Sequence, residues 1–272
     1  MGPPPPRVLS AATRALQLAV LAAMLAWVLG PLGGLSLSPR PVPGGAAGAN
    51  DTSQLFNWHP LLLTLAFPVL MAEAVLAYQA PLLALKDRPA AKLYHFALHT
   101  AAIACVALGV AAAFRSHTAK RPTPVPNLYS VHSWLGLAVL ALLAAQYCVG
   151  AFAYLTPQLS PAGKRALGPV HRFLGLATFT AGLATMAAGL QEKATFVQAF
   201  GMPSSLRAPV LVLPALIAVL LLLTGLAVLA HHAPLPPPPP HHRQASEEEA
   251  LVTPGGPVTV DSEIEIEDRH SA

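Results

Sequence analysis

The stretch that decides the fold is "NLYSVHSWLGLAVLALLAAQYCVGAFAYL", Asn127 to Leu155. From Val131 onward it contains no Asp, Glu, Lys or Arg, and it exceeds the roughly 20 residues that an α-helix needs to cross a bilayer. At its mouth stands His132, which is either an interfacial side chain or a ligand. Five more apolar stretches of spanning length flank this one: roughly Ala15 to Leu35, His59 to Tyr78, His95 to Phe114, Val170 to Leu190 and Ala208 to Ala230. The 272 residues are 54% hydrophobic and 10% charged, against about 25% charged in a soluble domain. The sequence therefore predicts an all-α, six-span integral membrane protein, in which spans two to five are the candidate four-helix core.

The remainder of the chain fits around that bundle. Residues 1–14 and the Pro-rich, acidic tail 231–272 lack apolar periodicity and read as disordered, leaving 15–230 as the transmembrane domain. Arg7 and Arg14 precede the first apolar run as in a secretory signal, but the run is long and no small-residue cleavage site follows it, so it is read as a span. The two cysteines, Cys105 and Cys148, fall inside spans three and four and are read as packing residues. The net charge of +4 is scattered over loops and aromatic content is 6%, which argues against a nucleic-acid footprint. Counted near the membrane, eight basic residues lie on the side shared by both termini and six on the other. The positive-inside rule then favours cytoplasmic termini. That orientation puts the sequon Asn50-Asp51-Thr52 on the non-cytoplasmic side, where glycosylation occurs.

Of eleven histidines, four mark the starts of successive spans: His59, His95, His132 and His171. Consecutive spans are antiparallel, so His59 and His132 share one depth and His95 and His171 the other. Two imidazoles per level inside a four-helix bundle meet the requirement for bis-His ligation of a haem iron. Two levels imply two b-type haems, bound non-covalently because no Cys-x-x-Cys-His motif is present. Gly136 and Gly175 follow His132 and His171 at i+4, on the same helix face, where a missing side chain leaves room for a flat ring. The alternative is a His-lined transition-metal transporter without haem, although such a site gathers carboxylates at one depth. His99, one turn past His95, is a competing ligand or a hydrogen-bond donor behind one. Glu73 and Gln146 lie equally far past their own spans' histidines, about four helical turns, a spacing that would let them hydrogen-bond each other. A proton-handling Glu73 is the other reading.

Basic side chains gather around the His95/His171 level. Lys92 precedes His95 by one turn, and Lys164 and Arg165 precede His171, forming either a solvated flank or an anion site for a small acidic reductant. On the opposite side His117, just past span three, is a loop residue, a proton acceptor or a metal ligand.

The segments "FNWHPLL", "KLYHFALH", "NLYSVHSWLGL", "GPVHRFLG" and "LQEK", from Phe56 to Lys193 in that order, resemble the cytochrome b-561 family of ascorbate-dependent transmembrane oxidoreductases. The resemblance implies a di-haem core over 56–193 with His59/His132 and His95/His171 as the axial pairs. It further implies that Lys92 and Lys164 belong to a cytoplasmic ascorbate site and that His117 lies at an external substrate site, with Asn127 and Tyr129 as candidates for its rim. By the same resemblance, electrons pass from cytoplasmic ascorbate through both haems to monodehydroascorbate or a ferric chelate, in a chain that is often a homodimer. Members sit in endomembranes such as the vacuole, lysosome or secretory vesicle, or in the plasma membrane.

Overall fold

The computed structural model describes residues 7–199 and 204–233. Among the described residues six helices are long and apolar enough to cross a membrane: α1 (Arg7–Leu29), α2 (Ser53–Tyr78), α3 (Arg88–Thr118), α4 (Val131–Leu155), α5 (Pro161–Ala199) and α6 (Ser204–Ala230). A short antiparallel hairpin, β1 (Arg40–Pro41) with β2 (Asn50–Asp51), lies between α1 and α2. The start of α1 and the finish of α6 meet at one end of the bundle, the terminal end; the β-hairpin marks the other, the hairpin end.

Only α4 has the predicted limits. α1 begins at Arg7 rather than the expected Ala15 and ends at Leu29 rather than Leu35. Its early start places residues 7–14, expected to be disordered, in a helix, because Arg14 finds an acidic partner within the bundle. Its early end follows from Gly30-Pro31 and from Gly33 and Gly34, which take φ of +77° and +91°, a region that favours glycine. The loose carbonyls there are collected by Asn57, whose Nδ2 donates to Leu32 and Gly34. α3 and α5 extend past their apolar cores because polar caps carry them into the interface. Asp87 accepts from the Ala90 amide at 2.8 Å, and the Ser160 hydroxyl accepts from the Gly163 amide, both N-cap geometries. The Ser130 hydroxyl starts α4 in the same way. Residues 231–233 continue from α6 as a turn rather than a disordered tail; the remainder of the tail, with His241 and His242, and residues 1–6 lie outside the described residues.

α1 packs along α6, α3 along α2, and α5 against both α4 and α6. Between helices in lipid the driving force is close packing rather than removal of apolar surface from water. The α1 stripe Thr13, Gln17, Val20, Met24 and Trp27 recurs at three- and four-residue intervals and is fully or nearly buried, as helix-on-helix packing requires. Buried threonines within the helices satisfy themselves: the hydroxyls of Thr13, Thr64, Thr178 and Thr185 donate to carbonyls one turn earlier at 2.7–2.8 Å. Cys105 packs against the core, whereas Cys148 faces outward.

α2 is the most buried of the six and the least regular. It runs as α-helix to Thr64, widens to π-helix over Leu65–Met71 around Pro68, returns to α-helix over Ala72–Val75 and tightens to a 3-10 turn at Leu76–Tyr78. Pro68 has no N–H to donate and its ring crowds the preceding turn, and a π-bulge relieves that conflict.

Candidate functional site

At the hairpin end His59 of α2 and His132 of α4 face each other with ring centroids 6.1 Å apart and ring planes at 81°. A metal held by two imidazoles at bonds of ~2 Å lies about 3 Å from each centroid, so the separation suits a single ion between them. The protonation of both rings is set by backbone. His59 Nδ1 donates to the Gly109 carbonyl at 3.1 Å and His132 Nδ1 to the Thr185 carbonyl at 2.9 Å. A carbonyl only accepts, so each Nε2 keeps its lone pair for a ligand. Both rings open on a cavity of about 1080 Å³ whose lining is mostly apolar. Gly136 lines it, and a Cβ there would meet nothing nearer than Thr185 Cγ2 at 3.9 Å. These features fit a flat ring with an iron at its centre.

At the terminal end His95 Nδ1 donates to the Ala74 carbonyl at 2.7 Å, and His171 lies within electrostatic range of both His95 and His99. Tyr78 flanks His95 and Tyr154 flanks His171, at centroid distances of 5.9 and 5.6 Å. His171 differs from the other three, since its Nδ1 is buried without a partner. His99 packs edge-on against His95 at 4.5 Å. The donor set again fits haem, since His95 keeps a free Nε2 lone pair and a Cβ at Gly175 would meet nothing within 4 Å.

The two levels are stitched together by helix pairs. The carbonyl that holds His59 belongs to Gly109, about four turns past His95 on α3, and the one that holds His95 belongs to Ala74, about four turns past His59 on α2. His132 is held by Thr185, as far past His171 on α5 as Gly109 is past His95. The equivalent position for His171 is Gln146, at the same interval past His132, and its side-chain Oε1 is also buried without a partner. Glycines complete the pattern. Gly150 and Gly189 each lie about five helical turns past their own helix's histidine, and each packs on the other helix's imidazole. A Cβ on Gly150 would stand 3.0 Å from His171 Cε1, and one on Gly189 2.6 Å from His132 Cε1. Both intervals are visible in the sequence; the signal that went unused was their recurrence on successive spans.

The sequence-predicted loop residues fall into two groups. His117, Asn127 and Tyr129 all line the large cavity. His117 Nδ1 donates to Asn127 Oδ1 at 3.0 Å, its ring stacks on Phe56 at 6.1 Å, and Tyr129 lies 6.0 Å away. Tyr129 donates to the Glu192 carboxylate; burial and that neighbouring charge push its phenol up to about 12. Lys120, three residues past His117, lines the same wall, as do Lys193 and Asp51, which were missed because they are remote in sequence. Lys193 Nζ sits 4.9 Å over the Phe56 ring. Burial raises the Asp51 carboxyl, but the amide and hydroxyl of Ser53, with Lys120 and Lys193, outweigh it and leave it below the usual range. The Asn50 side chain is engaged at this end: it donates to the Ala119 carbonyl and accepts from the Arg121 amide.

At the terminal end Lys92 and Lys164 converge on the finish of α4, donating to the Tyr154 and Thr156 carbonyls at 3.1 and 3.4 Å. Arg165 is exposed beside them. Two expectations require correction here. Glu73 pairs with Arg14 at 3.0 Å rather than with Gln146, because the π-helical stretch adds a residue to α2 and turns position 73 toward α1. His231 and His232, expected in the disordered tail, are packed: His231 Nε2 lies 3.1 Å from the Thr13 hydroxyl and His232 Nδ1 3.2 Å from Gln79 Nε2.

The sequence model of eukaryotic cytochrome b561 matches residues 58–197, the stretch that carries all four helix-mouth histidines. Similar proteins include a transmembrane ascorbate ferrireductase of Arabidopsis thaliana, 33% identical over 68% of this chain and 72% of that protein. A lysosomal membrane ascorbate-dependent ferrireductase of Mus musculus is 34% identical over 56% of this chain and 62% of its own length. A plasma membrane ascorbate-dependent reductase of Xenopus laevis is 35% identical over 63% and 56%.

Proposed function

The chain belongs to the eukaryotic cytochrome b561 family, and from that premise we propose that it is a multi-pass transmembrane oxidoreductase drawing single electrons from cytoplasmic ascorbate. The acceptor on the opposite side is an anion, monodehydroascorbate or a ferric chelate. Two b-type haems, one held by His59 and His132 and one by His95 and His171, supply the one-electron redox chemistry when bound. The observation that carries this reading is the 6.1 Å facing pair His59/His132, with both Nδ1 protons held by backbone. The rival, a haem-free metal transporter, lacks support: among the described residues no three His, Cys, Asp or Glu gather to hold an ion.

The chain's own residues divide the work by end. The terminal end is assigned to the cytoplasm, in line with its excess of basic residues. There Lys92 and Lys164 attract the ascorbate anion, and its oxygens replace the Tyr154 and Thr156 carbonyls as acceptors for the two ammonium groups. Arg165 adds a third positive charge at the entrance. At the hairpin end Lys120 and Lys193 draw an anionic acceptor into the cavity. Asn127 holds the His117 Nδ1 proton, so His117 Nε2 is free to accept a proton or an iron ligand position. Tyr129 stays a phenol and donates. Apolar lining such as Phe67 and Leu140 keeps bulk water from the interior.

The test is purification followed by reconstitution. Vesicles loaded with ascorbate should reduce external ferric chelate or monodehydroascorbate, and the protein should show a b-type spectrum that ascorbate enhances. Colourless protein sinks the reading. Lys92→Ala with Lys164→Ala should raise the KM for ascorbate about tenfold, equivalent to about 1.4 kcal/mol of lost binding, with haem content unchanged.

A further inference from the structure

We propose that Arg14 and Glu73 are positioning residues for the terminal-end ligand His95, so that α1 sets the redox potential of that level and not of the other. This rests on the haem reading above.

The geometry starts from one guanidinium. Arg14 Nη2 donates to Glu73 Oε2 at 3.0 Å and to the Ala80 carbonyl at 2.6 Å, while its Nη1 donates to the Ser10 carbonyl of its own helix at 3.1 Å. Arg14 therefore grips Glu73 within α2 and Ala80 just past its end, on either side of the helix's irregular last turns. Between those points lie the two α2 groups that meet His95. The Ala74 carbonyl receives its Nδ1 proton, and the Tyr78 ring flanks it at 5.9 Å. Regular helix ends at Val75 and only a 3-10 turn follows, so the backbone ladder alone holds this segment weakly. The clamp supplies what the ladder does not.

Electrostatics gives the inference a sign. Glu73 is 6% exposed and sits one residue before the carbonyl that holds His95. A hydrogen bond to the distal nitrogen of a ligating histidine tunes the metal, and a buried charge nearby acts through a low dielectric. With both members present the pair is close to neutral. Removing Arg14 leaves a negative charge that favours the oxidised, more positive centre. Removing the Glu73 charge leaves a positive one that favours the reduced centre. A pair that served packing alone would be replaceable by apolar residues and would give neither signed effect.

The test uses two single-haem backgrounds. His132→Ala retains the His95/His171 level and His171→Ala retains the His59/His132 level. Arg14→Gln and Glu73→Gln are placed in each, and the midpoint potential and the low-spin ferric resonance are recorded. In the His132→Ala background Arg14→Gln should lower the potential and Glu73→Gln raise it, with the resonance changed in both. In the His171→Ala background neither should move it. Equal shifts at both levels, shifts of one sign for both variants, or no shift overturn the proposal. Should Arg14→Gln not accumulate, Glu73→Gln keeps an oxygen for the guanidinium and decides alone by the sign of its effect. Absence of haem from the parent protein would instead overturn the function proposed above.

Discussion

At the hairpin end both facing histidines hand their Nδ1 protons to carbonyls and share a cavity of about 1080 Å³. At the terminal end His95 does so, His171 keeps an unpartnered buried Nδ1, and a third imidazole, His99, packs against His95. The first level is rigid, with each ring fixed in tautomer and orientation. The second has one ring held by a carbonyl and one, His171, whose Nδ1 has no such acceptor, and its held ring is fixed by the part of α2 that Arg14 grips. Rigidity thus lies where the cavity is large and must keep its shape. The ring without a backbone acceptor lies beside the lysines proposed to receive the electron donor.

The comparison breaks most visibly by removing ligands. His132→Ala should halve the haem per protein yet leave the remaining haem reducible by ascorbate. His171→Ala should also halve it but slow ascorbate reduction by at least about tenfold, because the level nearest the lysines is gone. Identical behaviour in stopped-flow reduction would erase the distinction. A smaller effect should come from the glycines. Gly189→Ala drives a methyl to 2.6 Å from a ring pinned by Thr185, whereas Gly150→Ala places one at 3.0 Å from a ring with nothing to pin it. Overpacking of the first kind costs about 1–3 kcal/mol, so Gly189→Ala should loosen its haem on thermal titration, and Gly150→Ala should be close to the parent.

The smallest effect concerns Tyr129. Its phenol is raised from 10.0 to about 12, so the donor bond to Glu192 is complete below the ordinary value and is lost only as pH climbs through the raised one. Tyr129→Phe should therefore slow external reduction a few-fold by the same factor at about pH 6 and about pH 8. A pH-dependent ratio would show that another group titrates in its place.

Much of this was legible from residues alone. The spans announced themselves by apolar length, and the four ligand candidates by their repeated place at helix mouths. Their pairing by depth followed from antiparallel order. The ends of the helices were less legible, since polar caps such as Asp87 and Ser160 prolong helices beyond their apolar cores. The partner of Glu73 was misread because a uniform helix in α2 would have turned it toward Gln146, and nothing but Pro68 hints at the widened turn. The cavity wall drew Lys193 and Asp51 from distant segments, and only folding brings those together. Gly150 and Gly189 were within reach, because a whole number of turns on an α-helix returns to the same face.

The widened turn around Pro68 has a consequence for counting. The step from a helix's own histidine to the carbonyl that serves the other level is the same in α3, His95 to Gly109, as in α5, His171 to Thr185, but in α2, His59 to Ala74, it is one residue longer. A π-bulge amounts to one residue spliced into an α-helix, so the longer step in α2 spans the same height, about 21 Å from the rise per residue of an α-helix. The backbone thus works as a ruler for the separation of the two histidine levels, and α2 is the one ruler with an extra mark. Deleting a single residue within Leu65–Met71 would erase that mark without shortening the gap, leaving α2 straighter with Glu73 and Ala74 at the places they now hold.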